Sequence, residues 1–177
     1  MEQLRIPFRI CVPDVSELGQ GQPSEVALEN SRRKAHAVSG QRGGTELLVA
    51  VDTLVALDGR VYGKPEDAGD ARRMLEALRG REHHVLGGLT LVIGDAEHSL
   101  VAATAVRFRN FSDDLLQRYI ARGEWRERAG GYAIQGTGAA LVSSTDGDYL
   151  NVVGFPVAAF LDLLAGMDIR GLVNSEG

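Results

Sequence analysis

The sequence predicts an α/β fold in which a mixed β-sheet is flanked by helices. Segments with helical periodicity alternate along the chain with apolar segments that are typical of strands. Turns at Gly94 and Gly147 separate strand-like segments closely enough to indicate two hairpins. Because hairpin strands are antiparallel whereas helix-linked strands are commonly parallel, we expect a mixed sheet. The length of 177 residues fits a single domain over residues 1–177.

The first third of the chain predicts a strand, a helix and a second strand. The first strand covers residues 6–12, before a loop that starts with proline and aspartate. Ser24 is a candidate N-cap for a helix over residues 25–38, and Lys34 in its last turns suits the negative end of the helix dipole. The second strand is the apolar run over residues 47–57, which ends at an Asp-Gly turn.

The rest of the chain predicts three further helices and two hairpins. An apolar stripe indicates the first of these helices, Ser112 is a candidate N-cap for the next, and Pro156 suits the first turn of the last. The tail over residues 170–177 is expected to be disordered. The predicted helices cover residues 68–78, 113–121 and 156–165, and the predicted strands cover residues 84–93, 99–108, 139–142 and 149–153.

The composition excludes several classes of protein. Hydrophobic residues make up 44% and charged residues 24%, as in soluble globular proteins. No apolar run approaches the roughly 18 residues of a membrane span, so we expect no membrane partner. The single cysteine, Cys11, excludes an internal disulfide, and a cytoplasmic location is the simplest interpretation. A net charge of -5 argues against nucleic acid as a partner, although a few lysines can hold one nucleotide.

A carboxylate interrupts the apolar run over residues 47–57, at Asp52. An ionised carboxylate in an apolar setting is costly unless it is paired, hydrogen-bonded or bound to a cation. Asp52 is therefore a candidate metal ligand or general base, and a strand-end aspartate bonded to backbone amides is an equally good interpretation. Lys64 follows shortly afterwards in a glycine-containing loop, and the combination indicates a site for phosphate or metal.

Other polar residues are candidates for the same site. Lys34 and Lys64 are the only lysines among 19 basic residues, and a lysine ammonium suits phosphate oxygens, although each is also explained as a solvated side chain. Glu17 is a candidate second ligand for Mg²⁺, or simply a solvated loop acid. Gln135 lies in a glycine-rich segment and can offer a donor and an acceptor to a base edge, or bond to backbone.

Eight short segments, spread in order over residues 4–165, form a more specific pattern. They are Ile6-Pro7-Phe8, Pro13-Asp14-Val15-Ser16-Glu17, Arg33-Lys34-Ala35, Val51-Asp52-Thr53, Gly63-Lys64-Pro65, Gly80-Arg81-Glu82-His83, Ala129-Gly130-Gly131-Tyr132-Ala133-Ile134-Gln135-Gly136 and Asn151-Val152-Val153-Gly154-Phe155-Pro156. Their ordered combination resembles the Maf family of nucleoside triphosphate pyrophosphatases. The form of the segment that ends in Ile-Gln-Gly looks like the subgroup that acts on dTTP and UTP.

The resemblance implies a fold like that of the inosine triphosphate pyrophosphatases, a cleft site and a homodimer. It implies hydrolysis of a nucleoside triphosphate to the monophosphate and pyrophosphate, with a divalent cation, Mg²⁺ or alternatively Mn²⁺ or Co²⁺. It also assigns roles to six residues. These are Asp52 as the proton acceptor, Glu17 as a family acid, Lys34 and Lys64 near the phosphates, and Thr53 and Gln135 at positions associated with base selectivity.

The N-terminus departs from the family pattern. Family members have a strand and a Ser-Pro-Arg-Arg loop ahead of the helix that leads to the Ile-Pro-Phe segment, whereas this chain starts inside that helix at Met1. Because the loop normally supplies arginines to the triphosphate, we expect a truncated form or a start that lies upstream. Two alternatives therefore stay open, a catalytically impaired nucleotide-binding or cell-division regulatory protein and a housecleaning enzyme for altered purine triphosphates.

Overall fold

The computed structural model describes residues 7–41, 43 and 46–167. In this part of the chain, five strands alternate with five α-helices and three short 3₁₀ turns. The strands are β1 (Leu48–Leu57), β2 (Arg60–Tyr62), β3 (Glu82–Ile93), β4 (Ala96–Phe108) and β5 (Val142–Asp146). The helices are α1 (Pro23–Val38), α2 (Ala68–Leu78), α3 (Asp113–Arg122), α4 (Tyr149–Val153) and α5 (Val157–Gly166), and the 3₁₀ turns are Ser39–Gln41, Ala129–Gly131 and Thr137–Leu141. None of the helices in these ranges is long and apolar enough to cross a membrane.

The strands form one sheet in the order β2-β1-β3-β4-β5. The predicted α/β class is confirmed, but all four pairs among the described strands are antiparallel, so the mixed sheet is wrong for this part of the chain. The connection through α2 does join two strands of the same direction, β2 and β3. Because β1 lies between them, each hydrogen-bonded pair nevertheless runs antiparallel.

Three predicted strands differ from the structure. Residues 7–12 have no strand partner among the described residues, and residue 6 lies outside them, as does the tail over residues 170–177. Residues 149–153 form helix α4, which the Asp148 carboxylate caps by accepting from the Leu150 amide. Five residues are too few to separate strand from helix by periodicity, so the local cap decides. The strand predicted over residues 139–142 starts only at its last residue, after a 3₁₀ turn.

Gly88 sets the distance between α1 and the sheet. A Cβ atom at this position would overlap the carbonyl oxygen of Ala27, so the backbone of α1 can lie on β3 only because residue 88 has no side chain. Gly88 is also the residue of β3 that pairs with Asp52 in β1. The sheet-facing stripe of α1, which includes Asn30 and Lys34, is consequently held directly over Asp52.

The two faces of β1 have different neighbours. Leu54 packs against α1, whereas Val55 packs into the larger core that α2 and α3 cover on the opposite face. Because successive strand residues alternate between faces, Asp52 faces α1 and Thr53 faces the larger core. β2 pairs only with residues 55–57, so within the described chain no strand covers the edge of β1 beside Asp52.

His83 on β3 connects the sheet to the glycine-rich segment. Its Nε2 atom lies 2.9 Å from the hydroxyl of Tyr132, and its ring packs edge-on against Phe108. The side chain is fully buried, and its Nδ1 atom has no hydrogen-bond partner among the described residues. This burial, together with a smaller effect of the neighbouring His84, lowers the pKa of His83 to about 4. The ring is therefore neutral in the folded protein at neutral pH.

We expect the folding stability to fall as the pH decreases from 6.5 to about 4. In this window the unfolded chain binds a proton at His83 and the folded protein does not, so acid favours unfolding, and the contribution is fully present above this window. The shift corresponds to about 3 kcal/mol. Denaturant unfolding at several pH values measures the slope, which His83→Gln should flatten. The exposed His98→Gln variant should keep the slope, and an unaltered slope in His83→Gln would contradict the prediction.

Candidate active site

Four of the predicted residues form one charged cluster at the edge of β1 that no described strand covers. The Nζ atom of Lys34 lies 2.6 Å from Oδ1 of Asp52 and 2.7 Å from Oε1 of Glu17. One ammonium group therefore bridges two carboxylates. The Nζ atom of Lys64 lies 3.9 Å from Oε2 of Glu17 and approaches the cluster from the loop after β2. From the sequence alone, each of these residues could also be explained as a solvated or backbone-bonded side chain. The structure places all four in one cluster.

Asn30 is a site residue that sequence reasoning missed. Its Nδ2 atom donates to Oδ2 of Asp52 (3.2 Å) and to the carbonyl of Leu18 (3.1 Å), and its Oδ1 atom accepts from the amide of Leu18 (2.7 Å). Asn30 lies one helical turn before Lys34, so both reach Asp52 from the same face of α1. The helical spacing of Asn30 and Lys34 was the sequence signal that could have identified Asn30 as a site residue. Asn30 thereby fixes the segment that carries Glu17 beside Asp52.

The cluster holds its charges through mutual contact. Burial by itself lowers the pKa of Lys34, but the hydrogen bonds and charges of Asp52 and Glu17 outweigh it and raise that pKa. Burial by itself raises the pKa of Glu17, but the hydrogen bond and charge of Lys34, with the charge of Lys64, outweigh it and lower that pKa. Lys34 is therefore a cation and Glu17 an anion at neutral pH.

The cluster lines a cavity of about 530 Å³. The cavity wraps around the edge of β1, so both Asp52 on one face and Thr53 on the other belong to its wall. Its charged lining consists of three carboxylates and three cations, which balance formally. They are Glu17, Asp52 and Glu127, and Lys34, Lys64 and Arg128.

Gln135 lies in a second, adjoining cavity of about 420 Å³. Its side chain is exposed and makes no hydrogen bond with the described residues. Thr53 and Gln135 therefore lie in two neighbouring cavities rather than in one. Thr53 is nevertheless on the face of β1 that packs against the larger core, and residues of that core also line the second cavity. The two cavities share a wall of four residues, Arg128, Tyr132, Val152 and Val153.

Gly130 ties the glycine-rich segment to the Lys64 loop. Its amide donates to the carbonyl of Gly63 (2.9 Å), one residue before Lys64. Gly130 has φ 67°, a left-handed conformation that glycine adopts without strain, and a Cβ atom there would press on the side chain of Val55. The segment that carries Gln135 and the loop that carries Lys64 are thus held at a fixed separation.

Asp52 and Glu17 form a donor set that suits a divalent cation. Mg²⁺ is commonly held by one or two carboxylates, with substrate phosphates and water completing its coordination. Among the described residues, no three His, Cys, Asp or Glu side chains converge as a metal-binding group. Two carboxylates alone would leave most coordination positions of such a cation to other ligands.

Comparison with known protein families decides which family the chain belongs to. A family model described as Maf-like protein matches residues 1–167. The chain belongs to the Maf family. The resemblance expected from the ordered segments is therefore confirmed. The Maf segments that surround Asp52, Lys64 and Gln135 are among those that line the two cavities.

Curated relatives of this Maf protein carry the name dTTP/UTP pyrophosphatase. The relative from Pyrococcus furiosus is 42% identical over 142 residues, which cover 80% of this chain and 74% of the relative. The relative from Symbiobacterium thermophilum is 42% identical over 166 residues, which cover 93% and 85%. The relative from Dictyoglomus thermophilum is 37% identical over 169 residues, which cover 93% and 87%.

We expect Asn30→Ala to destabilise the protein and to loosen the segment beside Glu17. The substitution leaves both backbone groups of Leu18 and one oxygen of Asp52 without a partner, at a cost of about 1–3 kcal/mol. Denaturant unfolding measures the loss, and hydrogen exchange at the Leu18 amide should become faster. Asn110→Ala removes the same side-chain amide from an exposed position and should change neither the free energy of unfolding nor the exchange rate of the Leu18 amide. Wild-type stability and exchange in Asn30→Ala would refute the anchoring role.

Proposed function

We propose that this Maf protein is a nucleoside triphosphate pyrophosphatase that hydrolyses dTTP and UTP to the monophosphate and pyrophosphate. The observation that carries the proposal is the pairing of two cavities with different chemistry. One contains the cluster of Asp52, Lys34, Glu17 and Lys64, and the other contains Gln135. Relatives that are 37–43% identical to this chain over their aligned residues carry the name of that activity.

A nucleotide has a charged end and an uncharged end, and each suits one cavity. Lys34 and Lys64 place ammonium groups where phosphate oxygens would bind and where charge develops during the reaction. The amide of Gln135 offers one donor and one acceptor, which match a carbonyl and the adjacent N–H on the edge of uracil or thymine. Thr53 lines the adjoining first cavity, and the Maf resemblance supports a contribution of this residue to base selectivity.

The reaction is a displacement at phosphorus. A water oxygen forms a bond to the α-phosphorus, the bond from that phosphorus to the bridging oxygen breaks, and pyrophosphate leaves. Asp52 accepts the proton of the attacking water. Lys34 and Asn30 each contact one oxygen of this carboxylate and hold it in place, and each oxygen keeps a second lone pair for other contacts.

We further propose a divalent cation, Mg²⁺ with Mn²⁺ or Co²⁺ as alternatives, held by Asp52 and Glu17. The support is the charge balance of the first cavity, in which three carboxylates offset three cations and leave no net positive charge for a triphosphate. A bound cation would supply that charge and polarise the phosphate oxygens. Chelation with EDTA should therefore stop turnover, and added Mg²⁺ should restore it.

We expect Asp52→Asn to lower kcat/KM for dTTP and UTP by about 10²–10⁴-fold, because an amide cannot accept the proton of water. Release of pyrophosphate measures the rate. Asp58→Asn is the matched control, since Asp58 is an exposed carboxylate that pairs with Arg81 outside both cavities. Thermal unfolding shows whether each variant is folded. Equal turnover by the wild type and Asp52→Asn would remove Asp52 from the mechanism.

The same assay separates the competing functions. Faster hydrolysis of dTTP and UTP than of inosine triphosphate supports the proposal, and the reverse preference favours a housecleaning enzyme for altered purines. Nucleotide binding in Mg²⁺ without pyrophosphate release would favour the regulatory protein.

We also propose that the protein is a cytoplasmic homodimer without nucleic-acid or membrane partners. The net charge of -5 and the single cysteine support the location and the absence of nucleic acid, and the Maf resemblance supports the dimer. Light scattering should give twice the chain mass of 19.0 kDa. A measured mass equal to one chain would refute the dimer.

A further inference from the structure

Arg128 lies where the two cavities meet. It lines both of them, and its side chain is exposed. Within the described residues, its guanidinium forms no ion pair with a carboxylate. Other arginines of the chain do form such pairs, among them Arg79 with Asp113, Arg81 with Asp58, Arg107 with Glu82 and Arg118 with Asp114. Arg128 is therefore a cation at the junction whose donors are available to a ligand.

The backbone around Arg128 is held on both sides. Its amide donates to the carbonyl of Trp125 (3.2 Å), and its carbonyl accepts from the amide of Gly131 (2.9 Å). The neighbouring Gly130 is bonded to Gly63 in the Lys64 loop. The position of Arg128 relative to Lys64 is thus fixed by main-chain contacts.

The charge of Arg128 also reaches the segment that leads to Gln135. Burial raises the pKa of Tyr119 to about 12, and the charge of Arg128 opposes this rise. The hydroxyl of Tyr119 accepts from the amide of Ala133, two residues before Gln135. The charge of Arg128 therefore acts on the tyrosine that holds the segment leading to Gln135.

We propose that Arg128 binds the α-phosphate of the nucleotide, an inference that rests on the proposed function. The α-phosphate is the one phosphate attached to the sugar, so a nucleotide that spans both cavities places it at their junction. A guanidinium can donate two parallel hydrogen bonds to one phosphate, which a lysine ammonium cannot. Arg128 is then a substrate-binding residue that connects recognition of the nucleoside with the reacting phosphorus.

Binding of the two reaction products distinguishes a specific contact between Arg128 and the α-phosphate from general attraction of anions. The nucleoside monophosphate keeps the α-phosphate, whereas pyrophosphate does not contain it. Arg128 should therefore contribute to binding of UMP and not to binding of pyrophosphate, which Lys34 and Lys64 hold. Uridine has no phosphate, so its binding should be independent of Arg128.

Calorimetry with UMP, pyrophosphate and uridine tests the proposal in the presence of Mg²⁺. We expect Arg128→Gln to weaken UMP binding by about tenfold or more, since hydrogen bonds to a charged group are lost, and to leave the other two affinities unchanged. Arg128→Lys should have an affinity for UMP between those of the wild type and Arg128→Gln, because lysine keeps the charge but lacks the paired donors. Arg122→Gln makes the same charge change at an exposed residue outside both cavities and should bind like the wild type.

Each other outcome has a definite meaning. Wild-type UMP affinity in Arg128→Gln, with normal UTP hydrolysis by the unmodified protein, overturns the role of Arg128 and leaves the proposed function intact. Equal weakening of UMP and pyrophosphate also overturns it, because the effect is then general attraction of anions. If the unmodified protein neither hydrolyses UTP nor binds UMP, the proposed function itself fails, and the inference fails with it.

Discussion

Direct contact between the backbone of α1 and that of β3 is the constraint on which the site depends. Gly88 permits this contact, and no other residue type would leave room for the Ala27 carbonyl. Asp52 lies opposite Gly88, so the helix passes over a carboxylate that is 5% exposed. A carboxylate so buried requires polar partners. Asn30 and Lys34, one turn apart on α1, provide them.

The same contact determines the balance of charge. Lys34 is partly buried, which costs hydration free energy, and its contacts with both Asp52 and Glu17 offset that cost. The lysine also keeps the two acids from facing each other as like charges. The charges of the cluster are thus paired within the protein, and this pairing is the reason that the proposed function includes a cation.

Local pattern accounts for much of the fold and for part of the site. The helix predicted over residues 68–78 matches α2, because a regular apolar stripe and a C-terminal glycine both mark it. Residues 149–153 form a helix because of the Asp148 cap, which a short apolar segment does not reveal. Asn30 was missed for another reason, since its contacts with Asp52 and Leu18 are tertiary, and the position of Arg128 at the junction of two cavities likewise exists only in the folded chain.

The edge of β1 that no described strand covers has a consequence for the separation of products in the proposed reaction. Asp52 and Thr53 are neighbours in sequence but belong to opposite faces of one strand, and the first cavity passes around the edge between them. In the proposed reaction, a substrate bound across this edge would have its pyrophosphate on one face of the sheet and its base on the other. When the bond between them breaks, the two products already lie on different sides of β1. The proposed reaction thus separates its two products across the strand that carries Asp52.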